Sequence, residues 1–354
     1  MIRVLVVDDS ALMRSEIKKM LETDPAIHVI GTASDGQEAV DKAKALKPDV
    51  MTLDINMPVM DGLEALGHIM RECPVPVIMV SALTDEGAEE TIQALSQGAF
   101  DFIHKPSGSI SLDIDRETYH LLEKIHLAAT EGKRQKFKFK PVYHESVQKV
   151  HHRVLPGKSD GSRIIGLGVS TGGPGTLYQI LPQIPAELNL SILIVQHMPE
   201  KFTAKLAAHL NDVCPMTVKE AENMEIIERG TIYIAPGGRH MEISVRNELV
   251  RFINIRHGSQ SDINCPSVNV LFQSLCDHLG KNWLGVILTG MGADGADGVV
   301  RLRKLGGHSV VEAEETCTVF GMPKRAIERG GAEFVLPSHK IASKLVELYH
   351  AHSF

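Results

Sequence analysis

Residues 163–174 read Arg-Ile-Ile-Gly-Leu-Gly-Val-Ser-Thr-Gly-Gly-Pro. The apolar run that ends at Val169 predicts a buried strand, and the glycines after Ser170 predict a tight turn into a helix that Pro174 can open. A strand that passes through a short turn into a helix is typical of α/β folds with a parallel sheet. The turn is expected to leave the Ser170 hydroxyl at the sheet edge, beside backbone N–H groups of a helix N-terminus. This is a favourable position for a nucleophile.

The alternation of apolar runs and amphipathic stretches continues after Pro174 and also fills the first third of the chain. The sequence therefore predicts an α/β protein with a five-stranded, parallel, doubly wound sheet over residues 1–130 and a larger α/β domain over residues 163–354. Residues 131–162 show no clear period and predict a flexible linker. A short basic run within it, Lys133–Lys140, is also compatible with an RNA-binding arm, although such a run is more often a solvated tether.

The positions of the apolar runs predict individual strands in both domains. The first domain is expected to contain strands at Ile2–Val7, His28–Thr32, Val50–Leu53, Val75–Val80 and Phe100–His104. The second domain is expected to contain strands near 163–169, 190–196, 231–235 and 283–289, and a hairpin of His240–Val245 and Leu249–Ile255.

The composition limits the class of protein. With 354 residues, 43% of them hydrophobic and 23% charged, the chain is typical of a globular protein with two cores. Its five cysteines form no C-x-x-C pair, which favours a reducing compartment without disulfides or a structural zinc site. No apolar run reaches the roughly 18 residues that span a membrane, and acidic residues come too early for a signal peptide. A cytoplasmic location without membrane insertion is therefore expected.

The net charge of −7 arises in residues 1–106, where 18 acidic residues outnumber nine basic ones. Residues 163–354 are close to neutral, and neither domain is strongly basic. Nucleic acid is therefore not an expected partner.

Acidic, hydroxyl and basic side chains lie at the C-terminal ends of the predicted strands of the first domain. Asp8 and Asp9 follow the first strand, Asp54 ends the third, and Ser81 and Lys105 end the fourth and fifth. In a flavodoxin-like strand order, 2-1-3-4-5, these ends meet at the crevice where ligands bind. Crowded carboxylates repel one another unless a cation such as Mg²⁺ neutralises them. A single Asp after a strand is most often a helix cap, but the full set predicts a phosphoryl-transfer site with an aspartate acceptor.

These segments resemble the receiver domain of two-component response regulators over about residues 1–125. The similarity rests on Val-Val-Asp8-Asp9-Ser, Leu-Asp54-Ile-Asn-Met-Pro-Val-Met-Asp-Gly62, Val-Ser81-Ala and Ile-His-Lys105-Pro106. The resemblance implies that Asp54 is phosphorylated by a histidine kinase. It also implies that Asp9, Asp54 and the Asn56 carbonyl surround Mg²⁺, with Asp8 supporting the metal through water, and that Ser81 and Lys105 contact the phosphoryl group. Phe102 falls where receivers carry a switch aromatic, but it is equally consistent with a core residue.

A serine nucleophile needs a base within hydrogen-bonding reach and a third group that orients the base. His197 follows the next apolar strand after that of Ser170, and Asp294 lies just past a later apolar strand. The three side chains are therefore expected at one sheet edge, as a candidate Ser-His-Asp triad. Their chain order differs from the orders of chymotrypsin, subtilisin and the α/β-hydrolases.

The residues alone leave other assignments open. His240 and His257 are rival bases, and Asp297 is a rival to Asp294. Gly166-Leu-Gly168 after a strand also suggests a dinucleotide-binding turn. Against this, the third glycine position of G-x-G-x-x-G is Thr171, and the next strand ends in Gln196-His197 instead of an acidic ribose ligand.

The glycine-rich segments of the second domain resemble the catalytic domain of the chemotaxis methylesterase CheB family over about residues 163–350. They are Gly168-Val-Ser-Thr-Gly-Gly-Pro, Val-Gln-His197-Met-Pro, Ile-Ala-Pro236-Gly-Gly-Arg-His240-Met, Pro266-Ser-Val-Asn-Val-Leu-Phe and Leu-Thr-Gly-Met291-Gly-Ala-Asp294-Gly. The resemblance implies a Rossmann-like α/β domain that hydrolyses glutamate methyl esters on methyl-accepting chemoreceptors and deamidates certain receptor glutamines. With a receiver domain ahead of it, this activity is expected to be activated by phosphorylation.

The resemblance also implies roles for individual residues. Ser170 attacks the ester carbonyl, His197 takes and returns the proton, and Asp294 orients His197. Backbone N–H groups at Thr171 and Met291 hold the oxyanion, and hydrolysis needs no cofactor.

Two alternatives come from other functional classes. A transcriptional response regulator requires a helix-turn-helix or basic effector domain, and the neutral, glycine-rich second domain offers neither. A pure scaffold requires a decayed triad, whereas all three candidate residues are present.

Overall fold

The computed structural model of the protein describes residues 1–81, 84–105, 114–134, 163–247, 250–259, 262–351 and 354. The chain divides into two compact units, Met1–Tyr143 and His144–Phe354. Of the predicted linker, residues 135–162 lie outside the described residues. Within the described part of the chain, each helix is too short or too polar to cross a bilayer.

The first unit is a five-stranded parallel sheet in the order β2-β1-β3-β4-β5, which confirms the predicted flavodoxin-like order. Helix α1 contacts α5, whereas α3 contacts both α2 and α4, so helices cover both faces of the sheet. Its elements are β1 (Ile2–Val7), α1 (Ala11–Leu21), β2 (Ile27–Ala33), α2 (Gly36–Leu46), β3 (Val50–Asp54), α3 (Gly62–Glu72), β4 (Val77–Ser81), α4 (Asp85–Gln97), β5 (Asp101–His104) and α5 (Ile114–Arg134).

The turn between β3 and α3 is tightly packed. Asp61 caps α3 by accepting a hydrogen bond from the Glu64 N–H, as Asp side chains commonly do at helix N-termini. A Cβ built on Gly62 would lie 2.0 Å from the Asp54 carbonyl oxygen. Glycine is therefore required at position 62 for α3 to begin directly against the end of β3.

The second unit is a seven-stranded parallel sheet in the order β14-β13-β12-β6-β7-β9-β8, with a separate antiparallel hairpin of β10 and β11. Its strands are β6 (Arg163–Val169), β7 (Leu190–Gln196), β8 (Thr217–Glu220), β9 (Thr231–Ile234), β10 (Arg239–Asn247), β11 (Val250–His257), β12 (Leu284–Ile287), β13 (His308–Glu312) and β14 (Phe334–Leu336). Its helices are α6 (Gly173–Ile180), α7 (Phe202–Val213), α8 (Val268–Leu279), α9 (Ala296–Lys304), α10 (Met322–Glu328) and α11 (Ser338–His350), with a 3-10 turn at Leu181–Gln183.

Strand β6 marks the point where the strand order reverses. The chain runs from β6 to β7 on one side, and β12 later pairs with the other side of β6. The crevice at the carboxyl ends of β6 and β12 is therefore a topological switch point, the usual ligand site in open α/β sheets. The sequence predicted β6, β7, β9 and β12 but missed β8, β13 and β14, whose sequences Thr-Val-Lys-Glu, His-Ser-Val-Val-Glu and Phe-Val-Leu contain at most three consecutive apolar residues.

Helix α8 packs unusually close to β6 because two glycines of that strand carry no side chain. A Cβ on Gly166 would lie 2.6 Å from Leu275 Cδ1, and one on Gly168 would lie 2.3 Å from Val268 Cγ1. The N-terminus of α8 is thereby brought to the end of the strand that precedes Ser170.

A buried acid ends β13 in the same sheet. Glu312 has no exposed surface, and burial raises the pKa of its carboxyl from 4.5 to about 7. The folded chain holds this proton up to about pH 7, whereas the unfolded chain releases it near pH 4.5, so the free energy of unfolding falls as the pH rises through that window.

Glu312→Gln is expected to remove this dependence, because glutamine is neutral at every pH. Between pH 4.5 and pH 8, the variant should gain about 3 kcal/mol in stability relative to the original chain. Urea unfolding followed by the fluorescence of Trp283, the one tryptophan and a fully buried residue of the second unit, measures the difference. Parallel stability curves for the two proteins would contradict the prediction.

Candidate functional site

The candidate nucleophile and base lie side by side at the ends of neighbouring strands. Val169 of β6 pairs in register with Gln196 of β7. Ser170 and His197 are the residues that directly follow these two strands. The His197 N–H donates to the Val169 carbonyl at 3.1 Å. Among the described residues, no hydrogen bond joins Ser170 Oγ to His197. Catalytic hydrogen bonds are often long when no substrate is bound. The conclusion that Ser170 and His197 are neighbours therefore rests on the register of the two strands.

The imidazole of His197 is held by Asp294. Its Nε2 lies 2.9 Å from Asp294 Oδ2, and the two side chains are 15% and 5% exposed. Because Nε2 donates to the carboxylate, Nδ1 is the ring nitrogen that remains able to accept a proton. In the serine protease arrangement the two nitrogens have the opposite roles.

Asp294 itself is fixed by the N-terminus of α8. Its Oδ2 accepts the Val268 N–H at 2.7 Å, and its Oδ1 accepts the Asn269 N–H at 2.9 Å and the Ser267 hydroxyl at 3.0 Å. Burial alone would raise the pKa of Asp294, but the His197 side chain and these N–H groups outweigh it, so the pKa is lowered. The carboxylate is thus ionised and immobile, which suits a group that orients a histidine.

The rival residues lie elsewhere. His240 is buried and its Nε2 lies 2.9 Å from Asp262 Oδ2, while His257 is exposed at the end of β11. Asp297 is in the first turn of α9 and pairs with Arg329 on the surface. Of the candidates left open by the sequence, the structure brings together Ser170, His197 and Asp294.

Two polar residues that the sequence analysis did not select hold the backbone at Ser170. Gln196 Nε2 donates to the Ser170 carbonyl at 3.0 Å and to the His197 carbonyl at 3.3 Å. On the other side, the Ser170 N–H donates to the Thr289 carbonyl at 3.0 Å. Each of the two is a polar residue at the end of an otherwise apolar strand, and this pattern is the signal that could have identified them.

The proposed oxyanion donors flank Ser170. Thr171 lies in the turn that enters α6, and Met291 follows Gly290, where a Cβ would lie 2.7 Å from Ser170 Cβ. In the described part of the chain, nothing accepts a hydrogen bond from the N–H of Met291 or Gly172. These N–H groups are available to a substrate carbonyl.

The second candidate site lies at the carboxyl edge of the first sheet. Lys105 Nζ is 2.8 Å from Asp54 Oδ2 and 3.4 Å from Asp8 Oδ2. Carboxylate oxygens of Asp8, Asp9 and Asp54 lie within 4.8 Å of one another. The five-strand sheet thus brings three acids and one cation together as the sequence predicted.

These carboxylates fit a divalent cation. Burial raises the pKa of Asp54 to about 6 and also raises the pKa of Asp8. Asp8 Oδ2 is buried, and among the described residues its polar contact is the long one to Lys105 Nζ, at 3.4 Å. A hard cation with oxygen ligands such as Mg²⁺ would neutralise this crowding and satisfy that oxygen.

The remaining predicted residues surround this edge. Ser81 is buried, and its hydroxyl donates to the Gly87 carbonyl of α4. Asn56 is exposed, and its Nδ2 donates to Glu90 Oε2 at 3.2 Å. Phe102 is 6% exposed, with Lys124 Nζ 5.1 Å from its ring centre, so in this conformation its side chain is a core residue.

Comparisons with known proteins agree with the two units. Residues 165–345 match the CheB methylesterase family, and residues 4–113 match the response regulator receiver domain. The crystal structure of the Thermotoga maritima CheB methylesterase catalytic domain is 40% identical and covers 53% of this chain and 98% of that chain, with a TM-score of 0.51.

Relatives align over nearly the full length. A protein-glutamate methylesterase/protein-glutamine glutaminase of Caldanaerobacter subterraneus is 45% identical over 98% of this chain and 96% of its own length. A protein of the same name from Thermotoga maritima is 45% identical over 98% of both chains. The resemblance inferred from the sequence is thereby confirmed: the chain belongs to the CheB methylesterase family and carries a response regulator receiver domain ahead of its methylesterase domain.

Proposed function

We propose that the protein is a phosphorylation-activated serine hydrolase that removes methyl esters from glutamate side chains of methyl-accepting chemoreceptors and deamidates certain receptor glutamines. In bacterial chemotaxis this reaction would mediate sensory adaptation. The observation that carries the proposal is the placement of Ser170 beside His197 at matched strand ends, with Asp294 bonded to the histidine. Family membership supplies the substrate class.

In the acylation step, Ser170 Oγ attacks the side-chain ester or amide carbonyl while His197 Nδ1 takes its proton. The negative charge that develops on the carbonyl oxygen is stabilised by the N–H groups of Thr171 and Met291. Each such donor is typically worth about 3–4 kcal/mol. His197 then gives this proton to the leaving oxygen or nitrogen as its bond to the carbonyl carbon breaks, and methanol or ammonia departs.

In the second step, water hydrolyses the acyl-serine. His197 takes a proton from the water, whose oxygen attacks the acyl carbon, and then returns it to Ser170 Oγ. The product is a free glutamate on the receptor. Asp294 balances the charge of the imidazolium that forms in both steps.

The receiver domain would control this reaction through Asp54. A histidine kinase would transfer a phosphoryl group to Asp54, with Lys105 and Ser81 contacting the transferred group. Asp9, Asp54 and the Asn56 carbonyl would hold Mg²⁺, which neutralises charge on the phosphoryl oxygens when bound. A cytoplasmic location is part of this proposal, and the five free cysteines support it.

Methanol release from methylated chemoreceptor membranes tests the proposed function directly. The purified full chain is incubated with these membranes and Mg²⁺, with and without acetyl phosphate as a small phosphodonor. Methanol release that increases with acetyl phosphate is the expected result. Failure to release methanol under both conditions would refute the proposed substrate.

Asp54→Asn is expected to abolish the stimulation by acetyl phosphate, because an amide cannot accept the phosphoryl group. The measurement is the ratio of methanol release with and without acetyl phosphate, which should fall to one. Asp41→Asn is the matched control, since Asp41 is an exposed aspartate of α2 away from the strand ends. A ratio above one in Asp54→Asn would show that another residue accepts the phosphoryl group.

A further inference from the structure

Glu312 is joined to the nucleophile by a short chain of hydrogen bonds. Its Oε2 accepts the Thr289 N–H at 2.8 Å, and its Oε1 accepts the Thr316 hydroxyl at 2.9 Å. Among the described residues, Glu312 has no cationic partner. A buried acid that contacts only neutral donors is costly to keep, and neither the triad nor the oxyanion donors include it.

Thr289, which is bonded to Glu312, also forms hydrogen bonds with Ser170 and Thr171. Its carbonyl accepts the Ser170 N–H at 3.0 Å. Its hydroxyl donates to the Thr171 carbonyl at 2.9 Å and accepts the Val319 N–H at 2.9 Å. The orientation of Thr289 therefore determines where the backbone of Ser170 and Thr171 lies.

The residues that follow Glu312 pack against the turn that contains Ser170 and Thr171. In this segment, the 313–321 loop, a Cβ on Gly172 would lie 2.3 Å from Thr318, and the Gly321 N–H donates to the Gly290 carbonyl at 3.1 Å. Gly290 immediately precedes Met291. The loop thus contacts both segments that carry the proposed oxyanion donors.

The Glu312 carboxyl group links Thr289 to the 313–321 loop. One oxygen holds the end of β12 through Thr289, and the other holds the 313–321 loop through Thr316. Thr316 Oγ in turn accepts the Ser338 N–H at the start of α11. Thr316, which holds the loop to Glu312, is thus also bonded to a helix.

We propose that Glu312 is a positioning residue, which acts through Thr289 and the 313–321 loop to set the geometry of Ser170 and of the Thr171 and Met291 N–H groups. This inference rests on the proposed function, since it assigns a role within the same hydrolytic site. A misplacement of about 1 Å can cost about 100-fold in rate, so loss of the anchor is expected to be kinetically large.

The test compares variants of the full chain that keep or remove the acceptor. Glu312→Gln keeps an oxygen for the Thr289 N–H, whereas Glu312→Met fills similar volume without an acceptor. The readouts are the acylation rate of Ser170 by p-nitrophenyl acetate, and kcat and KM for methanol release. Ser309→Ala is the matched control, because it removes a buried hydroxyl of β13 that bonds to Gly331, away from the nucleophile.

Glu312→Met is expected to lower the acylation rate and kcat by about 10- to 100-fold, with KM unchanged. The buried Thr289 N–H loses its acceptor in this variant, so its melting temperature is also expected to fall, and the rates are compared at a temperature where circular dichroism shows both proteins fully folded. Glu312→Gln and Ser309→Ala are expected to stay within about threefold of the original rate. A role confined to folding would instead leave the acylation rate and kcat of the fully folded variant unchanged. Glu312→Met with the original acylation rate would overturn the inference.

Thr289 provides a second, independent comparison if Glu312→Met does not fold. Thr289→Val removes the hydroxyl that bonds to Thr171, and Thr289→Ser keeps it. A tenfold lower acylation rate in the valine variant alone supports the inference, and equal rates overturn it. Acylation without methanol release would refute the proposed receptor substrate while leaving these comparisons valid.

Discussion

Ser170→Ala is expected to lower kcat for methanol release by roughly 10⁶, the loss typical of a triad nucleophile. The change removes only the hydroxyl. The backbone contacts of residue 170, to Thr289, Gly173 and Gln196, do not involve the side chain and should persist. The fold is therefore expected to survive, with thermal stability close to that of the original chain.

Two measurements together decide this prediction. Circular dichroism melting establishes that the variant is folded, and methanol release with acetyl phosphate present gives the rate. A folded Ser170→Ala variant that retains more than a hundredth of the original rate would show that another group forms the acyl-enzyme.

Asp294→Asn is expected to lower kcat by about 10⁴, because it changes the tautomer of His197. The single amide oxygen would occupy the Oδ1 position, where three donors converge: the Ser267 hydroxyl and the N–H groups of Asn269 and Gly295. The amide NH₂ would then face His197 Nε2, which would have to accept a hydrogen bond. The proton would move to Nδ1, and the imidazole could no longer take the proton of Ser170.

The control for this change is Asp297→Asn, three residues along the chain. Asp297 is 64% exposed and pairs with Arg329 on the surface, where ion pairs contribute little to stability. Its rate should remain within about twofold of the original. If Asp297→Asn lost as much activity as Asp294→Asn, the rival assignment of the orienting acid would be correct.

The placement of Ser170 and His197 could be predicted because each directly follows a long apolar strand. Parallel neighbouring strands carry their end residues to one edge, and the register of Val169 with Gln196 matches that expectation. Asp8, Asp54 and Lys105 could be predicted for the same reason. Family membership followed from the motifs and is confirmed, whereas the roles of the individual residues stay predictions.

The supporting residues could not be predicted, because their contacts depend on strand order and not on local pattern. Thr289 meets Ser170 only because β12 pairs with β6 on the side opposite β7. Glu312 ends a five-residue strand that the apolar pattern did not reveal. The proposal that His197 Nδ1 is the base depends on the approach of Asp294 to Nε2, which no sequence spacing encodes.

The reversal of strand order at β6 has a consequence for synthesis on the ribosome. Strands β6 and β7 emerge early, but β12, Leu284–Ile287, and Asp294 are translated much later. Until then, the strand that precedes Ser170 has one edge without a neighbour, and such edges invite pairing with other chains. The nascent chain therefore carries the serine and the histidine before the orienting aspartate is made, and completion of β12 both closes the open edge of β6 and precedes the residue that completes the proposed triad.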